Sequence, residues 1–316
     1  MLSESEIGII CIGNSRTGKS QILTTSQTNF FPKNSARGAD TQKAIKQKYI
    51  TDINTVWLID TPGLYEIDQS RLEENVKEVT KGLQMMSSVK VCFVGRSNSG
   101  NMNIQDHAVI ARISECLRGL SNNKKEIGVI ATIIINHVNE WEFDDYMDVE
   151  NIKKIFATMH DSVKYFKGQL FVEQVIMIES MNPLLLKEKT DSLINFINKN
   201  TSPNKLKFIS KLKAEKNDVA LLTKVITGVV SGVTSFGAGI VAGNMVNSAI
   251  VSASAPFVAL GAVTILGTIG LYTGVMSYIN TNKDEASIKS LNNNIKVYTL
   301  RKNDKEPQLT NLRQDL

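Results

Sequence analysis

A chain of 316 residues that is 42% hydrophobic and 21% charged has apolar material for one good-sized core and an appendage of roughly a hundred residues. Its three cysteines, Cys11, Cys92 and Cys116, fall in apolar or helical runs without metal spacing, and its three histidines are widely scattered; neither a disulfide scaffold nor a zinc domain is indicated. The net charge of +5 lies in the second half, where Lys205, Lys207, Lys211, Lys213, Lys216 and Lys224 form a basic run; such a run is usually a solvated face, an anionic membrane surface is to be considered beside it, and with no nucleic-acid-binding motif no nucleic-acid partner is expected.

The start, "MLSESE", is acidic where a secretory leader would be basic. The apolar run Ile7 to Ile12 reads as a buried strand, and it leads directly into a full G-x-x-x-x-G-K-S pattern: Gly13, Asn14, Ser15, Arg16, Thr17, Gly18, Lys19 and Ser20. After a strand and before a helix, that pattern lets backbone N–H groups curl around phosphate oxygens, with Lys19 on the outer phosphates and the Ser20 hydroxyl on Mg²⁺. A helix is expected from Lys19 to Ser26. In the polar stretch "SARGADTQKAI", Thr41 is the expected switch threonine, able to ligate Mg²⁺ when a γ-phosphate is present.

Two strands, about Lys46 to Thr51 and Thr55 to Asp60, are joined by the short "DIN" link, which predicts a hairpin and one antiparallel strand in an otherwise parallel sheet. The second of them runs into "DTPGLYE", with Asp60 and Gly63 in D-x-x-G register. Asp60 is placed to hold Mg²⁺ and Gly63 to contact the γ-phosphate. Leu64 stands where Ras-like enzymes carry a water-orienting Gln, so slow hydrolysis is expected.

Further strands are expected at Val89 to Gly95, Ile127 to Ile135 and Leu170 to Ile178, and helices at Ser70 to Met86, Asn103 to Leu120, Val149 to Phe166 and Lys187 to Lys199. The fold class is therefore α/β, a nucleotide-binding G domain with a mostly parallel six-stranded sheet and helices on both faces. Ligands of such sheets bind at the carboxyl ends of the strands. There the base-reading loop is Asn136, His137, Val138 and Asn139, in place of N-K-x-D. Asn136 can tie this loop to the phosphate loop and His137 can stack on a base. Asn139 offers an amide where a carboxylate would accept from guanine N1 and N2, which leaves strict guanine preference open.

The order "GNSRTGKS", "DTPGLYE" and a His-containing base loop resembles the AIG-type (immune-associated nucleotide-binding) GTPases, relatives of the Toc receptors, over roughly residues 5 to 200. The stretch "VGRSNSG" is similar to the segment preceding that family's extra helix, and Asn182, near Glu179 and Ser180, resembles its fifth motif. The resemblance implies GTP and GDP binding, Mg²⁺, dimerisation across the nucleotide face and, often, membrane attachment. Arg37 or Arg96 is a candidate arginine for a dimer partner's site.

From Val225 to Asn282 the chain contains no Asp, Glu, Lys or Arg. Two spans of about 20 residues there are long enough to cross a hydrocarbon core, and small residues recur four apart, as at Gly228 and Gly232 or Gly270 and Gly274, allowing close helix packing. With lysines on both flanks, both ends are expected on the cytosolic side. A buried helical pair within a soluble assembly is the competing reading.

The expected domains are a G domain at 1–204, a basic juxtamembrane linker at 205–224, a hydrophobic helical hairpin at 225–282 and a polar tail at 283–316. The expected function is an intracellular, membrane-associated slow GTPase switch or scaffold whose G domain faces the cytosol and whose nucleotide state controls homodimerisation. A degenerate, non-hydrolysing nucleotide-binding module and a membrane-remodelling structural protein are the alternatives.

Overall fold

The computed structural model describes residues 6–31, 41–64, 69–98, 100–117, 129–147, 170–205 and 295–312. The expected helix at Val149 to Phe166 and the hydrophobic segment 225–282 lie outside these residues. The chain divides into one unit of Met1–Phe208 with Ala286–Leu316 and a second of Ile209–Glu285; every described element belongs to the first.

In chain order the elements are β1 (Ile7–Gly13), α1 (Lys19–Leu23), β2 (Ile45–Ile50), β3 (Thr55–Asp60), α2 (Gln69–Gln84), β4 (Ser88–Asn98), β5 (Asn101–Met102), α3 (Ile104–Leu117), β6 (Val129–Val138), α4 (Glu140–Met147), β7 (Leu170–Glu179), α5 (Pro183–Asn200), β8 (Ile295–Leu300) and β9 (Gln308–Leu312). The strands form one sheet in the order β2-β3-β1-β4-β6-β7-β8-β9, with β5 paired to the outer end of β4. β1, β3, β4, β6, β7 and β8 run parallel. The hairpin at Thr51 to Asn54 closes as expected, making β2 antiparallel to β3.

Strand side chains alternate between the two faces, and both faces are buried, which is why these strands read as near-continuous apolar runs. Ile10, Ile12, Val91, Phe93, Ile133, Ile135 and Met177 face Val79 and Leu83 of α2, Ile110 and Ile113 of α3, and Phe143 and Tyr146 of α4. Ile9, Cys11, Cys92, Val94, Ile134, Ile176 and Ile178 face Ile22 and Leu23 of α1 and Leu186, Leu193, Ile194 and Ile197 of α5. Cys11 and Cys92 are register partners on β1 and β4, both buried free thiols; contact with Cys92, together with burial, holds the Cys11 thiol well above its ordinary pKa.

Two expectations need correction. The sheet has nine strands rather than six, and residues 283–316 are not simply a polar tail, because β8 adds to β7 in parallel and β9 returns antiparallel to β8. The reason lies in "IKVYTL": Ile295 and Val297 join the core of one face while Tyr298 and Leu300 join the other. Tyr298 stacks on Phe196 of α5, ring centroids 4.1 Å apart. Just beyond β8, the Arg301 guanidinium sits 4.2 Å from the centroid of Phe143 and donates to Asp144 Oδ1 at 2.9 Å. A strand buried on both faces belongs to the core whatever the polarity of its flanks.

Replacing the fully buried Leu300 by Ala should therefore lower the unfolding free energy by about 2 to 5 kcal/mol, measured by urea denaturation of the full chain. A loss below about 0.5 kcal/mol, typical of an exposed position, would contradict a core role for β8.

Candidate nucleotide site

The loops after β1, β3, β4, β6 and β7 emerge at the shared carboxyl end of the parallel strands. After β1 the chain turns tightly over its neighbours. A Cβ on Gly13 would stand 2.1 Å from Val94 O, and one on Gly18 would stand 2.3 Å from Asn136 Nδ2. Gly18 also takes φ 87, a left-handed conformation that glycine adopts without steric cost. The loop is held from inside as well: Thr17 Oγ1 donates to Asn14 O at 3.0 Å, and Lys19 Nζ donates to Gly13 O at 3.1 Å and Asn14 O at 2.6 Å.

Three oxygen-bearing side chains from three separate segments meet beside it. Ser20 Oγ donates to Asp60 Oδ2 at 2.6 Å, Thr41 Oγ1 donates to the same oxygen at 3.0 Å, and the two hydroxyls are 3.0 Å apart. Asp60 is fully buried, and its Oδ1 has no hydrogen-bond partner. Burial raises the Asp60 carboxyl above its ordinary range, with Ser20, Lys19 and Thr41 pulling it back. Hard oxygen donors around a buried carboxylate with an unused oxygen fit Mg²⁺, which takes few protein ligands and keeps the rest as water and phosphate.

The D-x-x-G loop lies directly on the phosphate loop. Leu64 N donates to Gly13 O at 3.3 Å, Thr61 Oγ1 donates to Cys11 O at 2.7 Å, and Asn75 of α2 donates to Gly63 O at 2.7 Å. Gly63 is packed so tightly that a Cβ would fall 2.1 Å from Ser15 Oγ. Leu64 is itself buried.

Asn136 does tie the base loop to the phosphate loop: its Nδ2 donates to Thr17 O at 2.9 Å, while its Oδ1 accepts from His137 N at 2.9 Å. His137 is held at φ 58, and burial, then the charge of Arg96, lowers its imidazole pKa. Asn139 caps α4, its carbonyl accepting from Phe143 N at 2.9 Å and its N–H donating to Glu142 Oε2 at 3.2 Å. Asn182 caps α5, its Oδ1 accepting from Leu185 N at 2.8 Å. Both asparagines sit at the carboxyl end of the sheet; the Asn182 side chain is engaged in its cap, whereas Asn139 uses only backbone groups and its side chain is exposed. Of the two arginines named for a partner's site, Arg96 is exposed at the end of β4 and Arg37 lies outside the described residues.

Two buried acids were not expected at the site. Asp106, in the first turn of α3, accepts from Asn14 Nδ2 at 2.5 Å with one oxygen and from Arg96 N at 2.8 Å with the other. It thereby joins the phosphate loop to β4. Glu142 accepts from Ser97 Oγ at 2.9 Å besides Asn139 N, joining β4 to the base loop. The available signal was an acid three residues after an asparagine, Asn103 to Asp106 and Asn139 to Glu142, a pattern that announces a helix start rather than a site.

A phosphate loop, a hydroxyl–carboxylate cluster suited to Mg²⁺, a D-x-x-G loop and a base loop, all at one end of a mixed sheet with helices on both faces, define a P-loop GTPase G domain. Residues 8–134 match the family model described as 50S ribosome-binding GTPase. No curated protein matches the chain. Among solved structures it is similar to Era in complex with MgGDPNP and a segment of 16S ribosomal RNA, at 15% identity and a TM-score of 0.41 over 63% of this chain. It spans 58% of that Era chain. Toc33 from Arabidopsis thaliana in complex with GDP and Mg²⁺ is similar at 16% identity and a TM-score of 0.38, covering 64% of this chain and 88% of Toc33. A bacterial selenocysteine-specific elongation factor shows 17% identity and a TM-score of 0.38, covering 62% of this chain and 28% of that one.

The pH dependence of stability tests the role of the buried Asp106. Burial lifts Asp106 from an ordinary 3.8 to about 6, whereas burial lowers the adjacent His107 from 6.5 to about 4. A carboxyl raised by folding contributes stability that is present below about pH 4 and lost as pH rises through about 6. A histidine lowered by folding has the opposite slope, since the unfolded chain binds the extra proton between about pH 4 and 6.5. Asp106→Asn should therefore make stability climb more steeply with pH across that window than in the wild type. Urea unfolding at a series of pH values reads it, and parallel curves would mean that Asp106 does not titrate there.

Proposed function

We propose that this chain is a guanine-nucleotide-binding protein of AIG-like type, a slow GTPase switch or scaffold that dimerises through its nucleotide face and is attached to an intracellular membrane by residues 225–282, with the G domain facing the cytosol. The observation that carries the nucleotide reading is the convergence of Ser20, Thr41 and Asp60. A phosphate loop alone would serve many nucleotide enzymes. A loop hydroxyl brought from the 41 region onto the same carboxylate is what a nucleotide-dependent switch requires.

Lys19 and the loop N–H groups bind and orient the phosphates. Mg²⁺, when bound, supplies positive charge between the outer phosphates, and Ser20, Thr41 and Asp60 would hold it. Thr41 and Gly63 belong to the two segments that report the terminal phosphate, and Asn75 and Gly13 anchor the second of them. Leu64 has no group with which to orient water, which supports slow turnover.

A degenerate, non-hydrolysing module is the second reading, favoured by Leu64 and by the amide of Asn139 standing where a carboxylate acceptor would read guanine. Calorimetry with GTP, GDP and ATP in Mg²⁺ separates nucleotide classes, and the full chain is the right material because β8 belongs to the sheet. Guanine nucleotides should bind more tightly than ATP. Asn139→Asp should raise the GTP over ATP preference, by about tenfold or more if it restores a carboxylate acceptor for the guanine edge. An unchanged ratio would place base reading elsewhere.

The membrane reading rests on the uncharged run Val225 to Asn282 and its lysine flanks. Among the described residues no helix is long and apolar enough to cross a membrane, and the run lies outside them. Leu266→Arg puts a charge near the centre of the second span, at a cost of about 2.5 to 3.5 kcal/mol for insertion. It should shift the protein toward the soluble fraction in carbonate extraction. Wild-type protein that washes off as a soluble species would refute the attachment while leaving the nucleotide site untouched.

A further inference from the structure

The phosphate loop carries one side chain that its own fold does not use. Asn14, Thr17 and Lys19 are buried and hydrogen-bonded, Ser15 lies against Gly63, and Ser20 is bound to Asp60. Arg16 is exposed and makes no hydrogen bond or ion pair among the described residues. It is also held at φ 63, a left-handed conformation disfavoured for any residue with a Cβ. Two residues later the same loop uses glycine for the same region, Gly18 at φ 87. The phosphate-cradling backbone sets this left-handed turn, so placing a solvent-facing arginine where glycine would be easier points to a use for the side chain itself.

Across the site, among the described residues, an apolar side chain stands where a polar group would serve catalysis. Leu64 is apolar and buried, so at the position after the D-x-x-G glycine there is no polar side chain to meet the charge that develops on a transferring phosphoryl group. An arginine supplied within the same chain meets that need, because its planar fork can contact two phosphate oxygens at once.

We infer that Arg16 is a catalytic residue acting in cis, its guanidinium stabilising the phosphoryl group of GTP during hydrolysis. This rests on the guanine-nucleotide reading above. In the step, a water oxygen forms a bond to the γ-phosphorus and the bond from that phosphorus to the β–γ bridging oxygen breaks. GDP leaves with the bridging electron pair, and the water proton ends on inorganic phosphate or solvent. Arg16 exchanges no proton and forms no covalent bond; it neutralises oxygen charge while the bond order shifts.

Arg16→Gly keeps the backbone conformation accessible, and Arg16→Lys keeps the charge without the fork. On the full chain, single-turnover GTP hydrolysis should fall at least about 10²-fold in both variants, while GTP affinity falls by less than about tenfold. As a readout independent of turnover, GDP with aluminium fluoride, a mimic of the transferring phosphoryl group, should form a stable complex with the wild type and not with Arg16→Gly. The thermal midpoint of the nucleotide-free Gly variant should be no lower than that of the wild type. Hydrolysis unchanged in Arg16→Gly, a loss confined to GTP affinity, or full rescue by Lys would each overturn the inference while the guanine-nucleotide reading stands. A wild-type chain that binds no guanine nucleotide would overturn both.

Discussion

The contact between Gly18 and Asn136 is the point on which the site turns. With no side chain and a left-handed backbone, Gly18 lets the Asn136 amide lie against the phosphate loop and reach Thr17 O. That contact joins the ends of β1 and β6 across the intervening β4, which itself presses on Gly13 through Val94 O. Three adjacent strands thus end in one fused turn. Any Cβ at position 18 would displace the Asn136 amide from Thr17 O and remove the hydrogen bond that joins the two loops.

Charge is distributed around this frame with little surplus. Asp60 and Asp106 are both buried, both lifted by burial, and both partly relieved by Lys19. Asp106 has each oxygen satisfied by protein donors, whereas Asp60 keeps one free of hydrogen bonds. The difference separates their roles. The first is a brace between the phosphate loop and β4; the second has bonding capacity left for a cation. The same chemical group, buried to nearly the same degree, is made structural in one place and ligand-ready in the other by the number of donors aimed at it.

Most of the sheet was legible because buried parallel strands are unbroken apolar runs, and "IGIICIG" or "VIATIIINHV" can be little else at that length between turn signals. The phosphate loop and the D-x-x-G loop were legible because their backbone geometry demands glycine at fixed intervals. What was not legible came from elements whose partners are distant in sequence. β8 is short and comes after a long segment of different character, and its pairing with β7 spans more than a hundred positions. Asp106 and Glu142 look like ordinary helix-start acids, and only the fold brings Asn14 and Ser97 within their reach. Thr41 was identified by position alone, since a loop hydroxyl carries no periodic signature. The chain running over the Ser20–Asp60 pair is what selects it.

The added strands also change what residues 206–294 are in topological terms. Asn204 is stitched to the starting ends of β4 and β6, through Val89 and Ile130, and Lys296, as the chain returns, reaches Asn200 at the end of α5. Departure and return both lie at the amino ends of the parallel strands, opposite the phosphate loop. The segment is an excursion with two leashes rather than an appendage with one. It cannot be removed by truncating the chain after Asn204 without also taking β8 and β9 out of the sheet.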